Sequence, residues 1–389
     1  MSGLLFSFAV GAAFVWLSVF GYLAFLAAVA QRRRPGAATP VELPPIALLM
    51  ATLNEEARME AKLADLARTD YPRDRLRIVI IDGGSTDATL AHIEAARRAG
   101  TPIELIRAPH AGSKLEQLRC GLEAVGEDIV VTTDADADLD PACARKLVEV
   151  LLRDPSTAVV GARIRPDTEL LEERIYWWFL NTLWWLEGEA LSAAVVSGVC
   201  YAVRRRIALA APRAAGADDV LFALAAGAYG HGVRLCRAAW AVETRVPHSP
   251  GEFIIFRRRR GAGYMGALRA SLPASGISGW RLARAIRLFH FVVTPALLSA
   301  LALMGLVLCF TPHWPWPLAA TALFAAPMLA ALFASTTLAA LSTRRWRLGV
   351  SAVRLAGLIW AALLTPAPRP LPVPARGEVT ADAPVPGID

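Results

Sequence analysis

The run from Gly3 to Ala30 carries no charged side chain, and no other feature restricts the chain as strongly. In hydrocarbon every backbone N–H and C=O must be satisfied within the segment, so such a run is read as a helix. At about 1.5 Å per residue it is long enough to cross a core of about 30 Å. A cleaved leader would place its basic residues first, whereas Arg32, Arg33 and Arg34 follow the apolar run here. The excess of arginine on that side predicts an N-terminus outside and the following chain in the cytosol. Pro35 to Pro45 reads as a linker. Composition agrees: 55% hydrophobic and 19% charged residues exclude a disordered chain, a coiled coil and a disulfide-stapled module.

The last third returns to the same character. Charge-free runs extend from Phe289 to Phe310 and from Pro317 to Leu341, with a weaker one from Leu355 to Leu364. Arg281, Arg284 and Arg287 precede the first, and Arg344, Arg345 and Arg347 follow the second. The intervening His313 to Pro317 has neither Lys nor Arg. That asymmetry predicts an external loop and two or three C-terminal spans within residues 281–365, in a multi-pass inner (plasma) membrane protein. The tail over 366–389 is Pro-rich and is expected to be disordered. The net charge of +7 follows the arginines beside these runs, a placement that argues against nucleic acid as a partner. The five cysteines show no zinc-ligand spacing and read as reduced, packed thiols.

Between the membrane segments, over residues 46–270, short β-branched runs alternate with amphipathic stretches, the pattern of βαβ units in an α/β domain with a mainly parallel sheet. Strands are expected at Ile46 to Thr52, Arg77 to Ile81, Ile103 to Arg107, Asp128 to Thr132 and Ala158 to Ala162. Helices are expected at Asn54 to Thr69, Thr86 to Ala99, Ser113 to Val125 and Pro141 to Arg153, the last capped by Asp140. Ile175 to Leu191 holds four tryptophans interrupted by Glu187 and Glu189. It reads as an interfacial helix, with a buried aromatic helix as the alternative.

Two of these strands end in carboxylates. Val79-Ile80-Ile81 runs into Asp82-Gly83-Gly84-Ser85-Thr86-Asp87, and Ile129-Val130-Val131 into a stretch holding Asp134, Asp136, Asp138 and Asp140. The carboxyl edge of an open α/β sheet is where ligands bind. Acids crowded there repel one another unless a cation lies among them, and few hard oxygen ligands favour Mg²⁺ or Mn²⁺ completed by phosphate and water. A helix cap at Asp82 and a solvated acidic loop at Asp134 are the bland alternatives.

The two motifs together resemble an inverting family 2 glycosyltransferase of GT-A fold, over about Ile46 to Leu268. Thr52-Leu53-Asn54-Glu55-Glu56 resembles that family's first-strand nucleotide loop and Gly112-Ser113-Lys114 its Gly-Lys turn. The resemblance implies nucleotide-sugar contacts from Asn54, Glu55, Lys114, Asp82 (base) and Asp134 (ribose or phosphate), and a metal on Asp136. Ser197 to Arg205 resembles the family's acceptor-side segment, in which backbone near a glycine lets the acceptor approach; a buried strand with a basic end is its alternative. Gly216-Ala217-Asp218-Asp219 resembles the acidic pair whose second member, here Asp219, is the general base, against a helix cap as the alternative. Phe256-Arg257-Arg258-Arg259-Arg260-Gly261 stands where the family has Gln-x-x-Arg-Trp, without the Gln or the Trp. Arg257 and Arg260 have the spacing, and so have Phe256 and Arg259. Guanidinium groups there suit a departing diphosphate, while a basic patch for lipid headgroups is the other reading.

The expected activity is transfer of one sugar, with inversion, from a nucleotide-sugar (a UDP-sugar) to a membrane-presented hydroxyl, on a lipid or a glycan at the bilayer. The alternatives are a processive polysaccharide synthase and a catalytically inactive GT-A membrane scaffold. The missing tryptophan speaks against the first, and the complete set of acids against the second.

Overall fold

The computed structural model describes residues 17–32, 41–213, 217–269 and 278–289, with single positions before and after them. The expected spans beginning at Phe289, Pro317 and Leu355, the tail, and the first run up to Trp16 lie outside the described residues except at such single positions. Among the described residues no helix is long and apolar enough to cross a membrane. The described part of the first run is a π-helical turn, Leu17–Gly21, continuing into α1 (Tyr22–Arg32).

The elements that follow are β1 (Ile46–Thr52), α2 (Glu56–Ala67), β2 (Leu76–Asp82), α3 (Thr89–Arg98), β3 (Ile103–Arg107), α4 (Lys114–Ala124), β4 (Ile129–Asp134), β5 (Ala137–Leu139) and α5 (Cys143–Arg153). Then come β6 (Thr157–Pro166), α6 (Leu171–Leu191), β7 (Cys200–Arg204), α7 (Arg205–Ala210), α8 (Asp218–Ala228), β8 (Gly232–Glu243), α9 (Pro250–Arg269) and α10 (Ser278–Leu288). The strands form one sheet ordered β3-β2-β1-β4-β7-β6-β8-β5. β1 pairs parallel with both β2 and β4, whereas β7 runs antiparallel between β4 and β6. All five expected strands are present, within a few residues at their ends. β5, β7 and β8 were not expected as strands from pattern, except that Ser197 to Arg205 carried the buried-strand alternative now seen as β7.

The strand period of two gives the sheet its two cores. Ala47 and Leu49 face Leu115, Leu118 and Leu122 of α4, while Ile46, Leu48 and Met50 face Met59, Leu63 and Leu66 of α2. With both faces covered, β1 reads as a continuous apolar run rather than an alternating one. Cys143, Cys200 and Cys236 are buried thiols, as expected of packed cysteines.

Asp140 does not cap α5. Its N–H is taken by Trp240 C=O next to the β5–β8 pairing, so the residue stays with the sheet, Ala142 occupies the cap position, and Lys146 neutralises the Asp140 carboxylate at 2.9 Å. In α6 neither expected environment covers the whole helix. Successive residues point about 100° apart, so Trp177 is buried edge-to-face against Trp184 while Trp178 is 68% exposed. Glu187, read as marking a polar end, is buried. The Arg287 guanidinium pairs with it, Tyr22 donates to it at 2.9 Å, and Arg287 also donates to Ala193 C=O at 2.7 Å. α6 is thereby tied to α1 and α10.

Candidate active site

The site is built at the carboxyl ends of β1, β2 and β4, where the loops are locked to one another. Asn54 follows β1 in the left-handed region (φ 55°), which an asparagine tolerates better than most residues. Its N–H donates to Ser85 Oγ at 2.9 Å and its Oδ1 accepts from Thr86 N–H at 2.9 Å. Glu55 N–H donates to Thr89 Oγ1 at 2.8 Å, and Glu56 accepts from Ala88 N–H at 2.9 Å. Asp82 is fully buried, and its carboxylate accepts from Gly84 and Ser85 N–H at 3.0 and 3.2 Å. Asn54 and Asp82 thus shape the loop pair that forms one wall of the site. Gly84 supplies the positive φ of 96° that the turn needs.

The acids after β4 do not crowd together as a group of four. The turn after Asp134 sends Asp138 outward into β5 and Asp140 to Lys146, leaving Asp134 and Asp136 at the site. The chain's own cations answer them. Lys114 lies 2.5 Å from Asp134 and 3.4 Å from Asp218, and Arg245 lies 3.4 Å from Asp136 and 2.5 Å from Glu55. Burial alone would lower the Lys114 ammonium, but Asp134 and Asp218 outweigh it and hold the pKa above its ordinary value. Burial raises the Asp134 carboxyl in spite of Lys114, with Asp136 and Asp218 adding to the rise.

Across the cleft, Asp218 and Asp219 open α8 without capping it. The cap position is Ala217, and no side chain accepts there. Asp218 is buried and accepts from Tyr201 O–H at 2.7 Å. Asp219 is half-buried, and its carboxylate accepts from Gly198 N–H at 2.6 Å and Val220 N–H at 2.8 Å. Burial and the neighbouring Asp218 push its pKa up to about 7 against the pull of Lys114 and the two N–H donors. Gly198 has a reason of its own to lack a side chain. A Cβ there would stand 3.0 Å from Lys114 Nζ and 3.4 Å from Asp219 Oδ2, so the close approach this glycine permits is that of these two side chains.

The register of the arginines is decided by α9. Arg259 is exposed, whereas Arg257 and Arg260 turn inward. Arg257 is buried against Glu173 and lies 3.6 Å from the centre of the Tyr176 ring, which makes it part of the joint with α6 rather than a free ligand for donor phosphate. One turn on, Arg260 pairs with Glu243 and is near enough to Asp134 and Asp219 to feel their charge. Glu243 and Arg245 were missed from sequence. Glu243 is buried at the end of β8, and burial, joined by the Asp134 charge, pushes its pKa up to about 7 despite Arg260. A strand ending in a carboxylate was the available signal, as at β2 and β4, but in β8 Arg234 and Arg237 interrupt the apolar run.

Residues 47–207 match the profile of glycosyl transferase family 2, and residues 129–341, more than half of the chain, match that of glycosyl transferase family group 2. The chain belongs to the family 2 glycosyltransferases. This glycosyltransferase has the architecture of a mannosyltransferase from Pyrobaculum calidifontis solved with GDP-Man and Mn²⁺. The TM-score is 0.67 at 21% identity, over 92% of this chain and 99% of that one, which shows a common GT-A fold. Among curated relatives, it is 34% identical to a beta-monoglucosyldiacylglycerol synthase of Synechocystis sp. over 115 residues, 29% of this chain and 24% of that protein. It is 25% identical to a dodecaprenyl-phosphate galacturonate synthase of Rhizobium johnstonii over 151 residues, 38% of this chain and 44% of that protein. The glycosyltransferase therefore spans less than half the length of either relative.

Proposed function

We propose that this enzyme transfers one sugar, with inversion, from a nucleotide-sugar, UDP-linked, to a hydroxyl on a lipid presented at the inner face of the plasma membrane. The observation that carries the reading is Asp219. It is a half-buried carboxylate with pKa near 7, steered by the Gly198 N–H, facing a cluster of acids and cations that suits a sugar diphosphate. A single positioned base on the side opposite the leaving group gives one displacement, and hence inversion.

The donor set fits a divalent ion. Asp134 and Asp136 are both partly open, and Mg²⁺ or Mn²⁺ is commonly held by one or two carboxylates, with substrate phosphate and water completing the shell. When bound, the ion would supply charge neutralisation to the departing diphosphate. Lys114 orients Asp134 and screens Asp219 from it, Arg260 adds positive charge on the leaving-group side, and the locked loops of Asn54 and Asp82 receive the nucleoside. Asp219 takes the proton of the acceptor hydroxyl. The lipid acceptor and the bilayer rest on the charge-free runs flanking the domain and on the lipid products that the two curated relatives' names describe.

Transfer measured as UDP release from the full chain, with membrane lipid extract as acceptor, tests the reading. Because the base works only as a carboxylate and its pKa is raised, kcat/KM should rise about tenfold per pH unit below about 7 and level off above it. A profile flat from pH 5 to 8 would remove Asp219 from the reaction. For membrane placement, reporter fusions at Trp314 and after Pro366 should read outside and a fusion after Arg345 inside. A tail that reads inside would leave the Leu355 to Leu364 run uncrossed, with three spans in all.

A further inference from the structure

The turn that carries Asp134 and Asp136 is gripped from beneath by a side chain that belongs to neither donor nor acceptor. Lys62, on α2, is 1% exposed, and its ammonium spends all three N–H groups. It donates to Thr133 Oγ1 at 3.1 Å, to Ala137 C=O at 2.5 Å and to Asp65 Oδ2 at 3.1 Å. Thr133 is the residue before Asp134 and Ala137 the residue after Asp136, so one ammonium spans the turn from end to end. Asp65, itself buried, extends the grip by accepting from Leu139 N–H at 3.1 Å. Thr244, itself hydrogen-bonded by Arg58 of α2, holds the middle of the turn, its N–H and hydroxyl donating to Asp136 C=O at 3.1 and 2.7 Å.

We propose that Lys62 and Asp65 form a positioning pair that holds in place the turn bearing Asp134 and Asp136, the carboxylates that would receive a metal-bound diphosphate. A buried ion pair adds little net stability, because desolvation offsets its attraction. What it supplies here is geometry. A turn with two carboxylates facing the same cleft is pushed open by their repulsion, and the ends that would spread are the two that Lys62 ties together. The same helix begins two turns earlier at Glu56, next to Glu55, whose carboxylate pairs with Arg245, the partner of Asp136. α2 thus carries the support for the turn, and Glu55 at its N-cap holds Arg245, the counter-charge of Asp136. Supports of this kind orient ligands that they never touch in common with the substrate.

The proposal rests on the reading that Asp136 and Asp134 hold the donor through a divalent ion, and the test separates the two. Mn²⁺ and UDP are the probes, with Mn²⁺ binding followed by electron paramagnetic resonance and UDP binding by calorimetry on the purified full chain. Lys62→Gln should weaken Mn²⁺-dependent UDP binding about 10- to 100-fold, the range typical of supports behind metal ligands, while the pH midpoint of residual transfer stays where Asp219 sets it. Asp65→Asn, which keeps an acceptor for Leu139 N–H and nearly the same volume, should weaken it in the same direction and serves where Lys62→Gln does not fold. If thermal stability falls but the folded variants bind Mn²⁺ and UDP as the parent does, the pair is structural only and the proposal is overturned. Asp136→Asn in the same assay is the control. Unchanged Mn²⁺-dependent binding in that variant would overturn the donor-site reading itself and the positioning role with it.

Discussion

Asp219→Asn should lower sugar transfer by about 10² to 10⁴-fold while donor binding stays within about a factor of two, the range expected for loss of a positioned base. That corresponds to roughly 3 to 5 kcal/mol of barrier. The substitution keeps the volume, and the amide oxygen can still accept from Gly198 N–H, so the segment before β7 retains its anchor. What disappears is the ability to take a proton near pH 7. Asp218 cannot substitute, because it is buried and already engaged by Tyr201 and Lys114. Calorimetry for the donor and product release for transfer, on one preparation, give the answer. Transfer within a factor of a few of the parent would exclude Asp219 as the base, and lost donor binding would assign it to structure.

Asp136→Asn should be equally damaging by a different route. Its backbone C=O remains bound to Thr244, so the turn keeps its course and the protein should fold as the parent does. Arg245 loses one of its two carboxylate partners and keeps Glu55. The missing charge should reduce divalent-dependent donor binding and cut transfer by about 10²-fold or more, as removal of a preorganised electrostatic group does. Residual activity should no longer respond to EDTA. A variant that is fully active, or still strongly metal-dependent, would move the ion away from Asp136.

The carboxylates at the ends of β2 and β4 were legible because they follow apolar runs that are buried on both faces, and such runs end at the edge where ligands meet the sheet. Glu243 also ends a strand, but β8 alternates between buried and partly open positions and lacks the unbroken burial that made β1 and β4 plain. Asp140 and Asp138 were expected beside Asp136 on spacing alone. The turn after Asp134 and the pairing of β5 with β8 carry them elsewhere, a consequence of strand order rather than of any local preference. Arg257 and Arg260 were equivalent as letters three apart. Only the helix packed across α9, with Glu173 and Tyr176 waiting for one guanidinium, made them different.

Periodicity, turn residues and the apolar runs determined the five strands expected from pattern, most of the helices, the sheet edge at β2 and β4 and the acids Asp82, Asp134 and Asp136 that end or follow those strands, because those properties follow from backbone geometry within a few residues. Partnership was decided by the tertiary structure. Lys62 meets Thr133 across 71 positions of chain, Lys114 meets Gly198 across 84, and Arg245 meets Glu55 across 190. A charged side chain acquires its role from the field of whatever elements the sheet order lays beside it, and that field is absent from any window of sequence short enough to have a period.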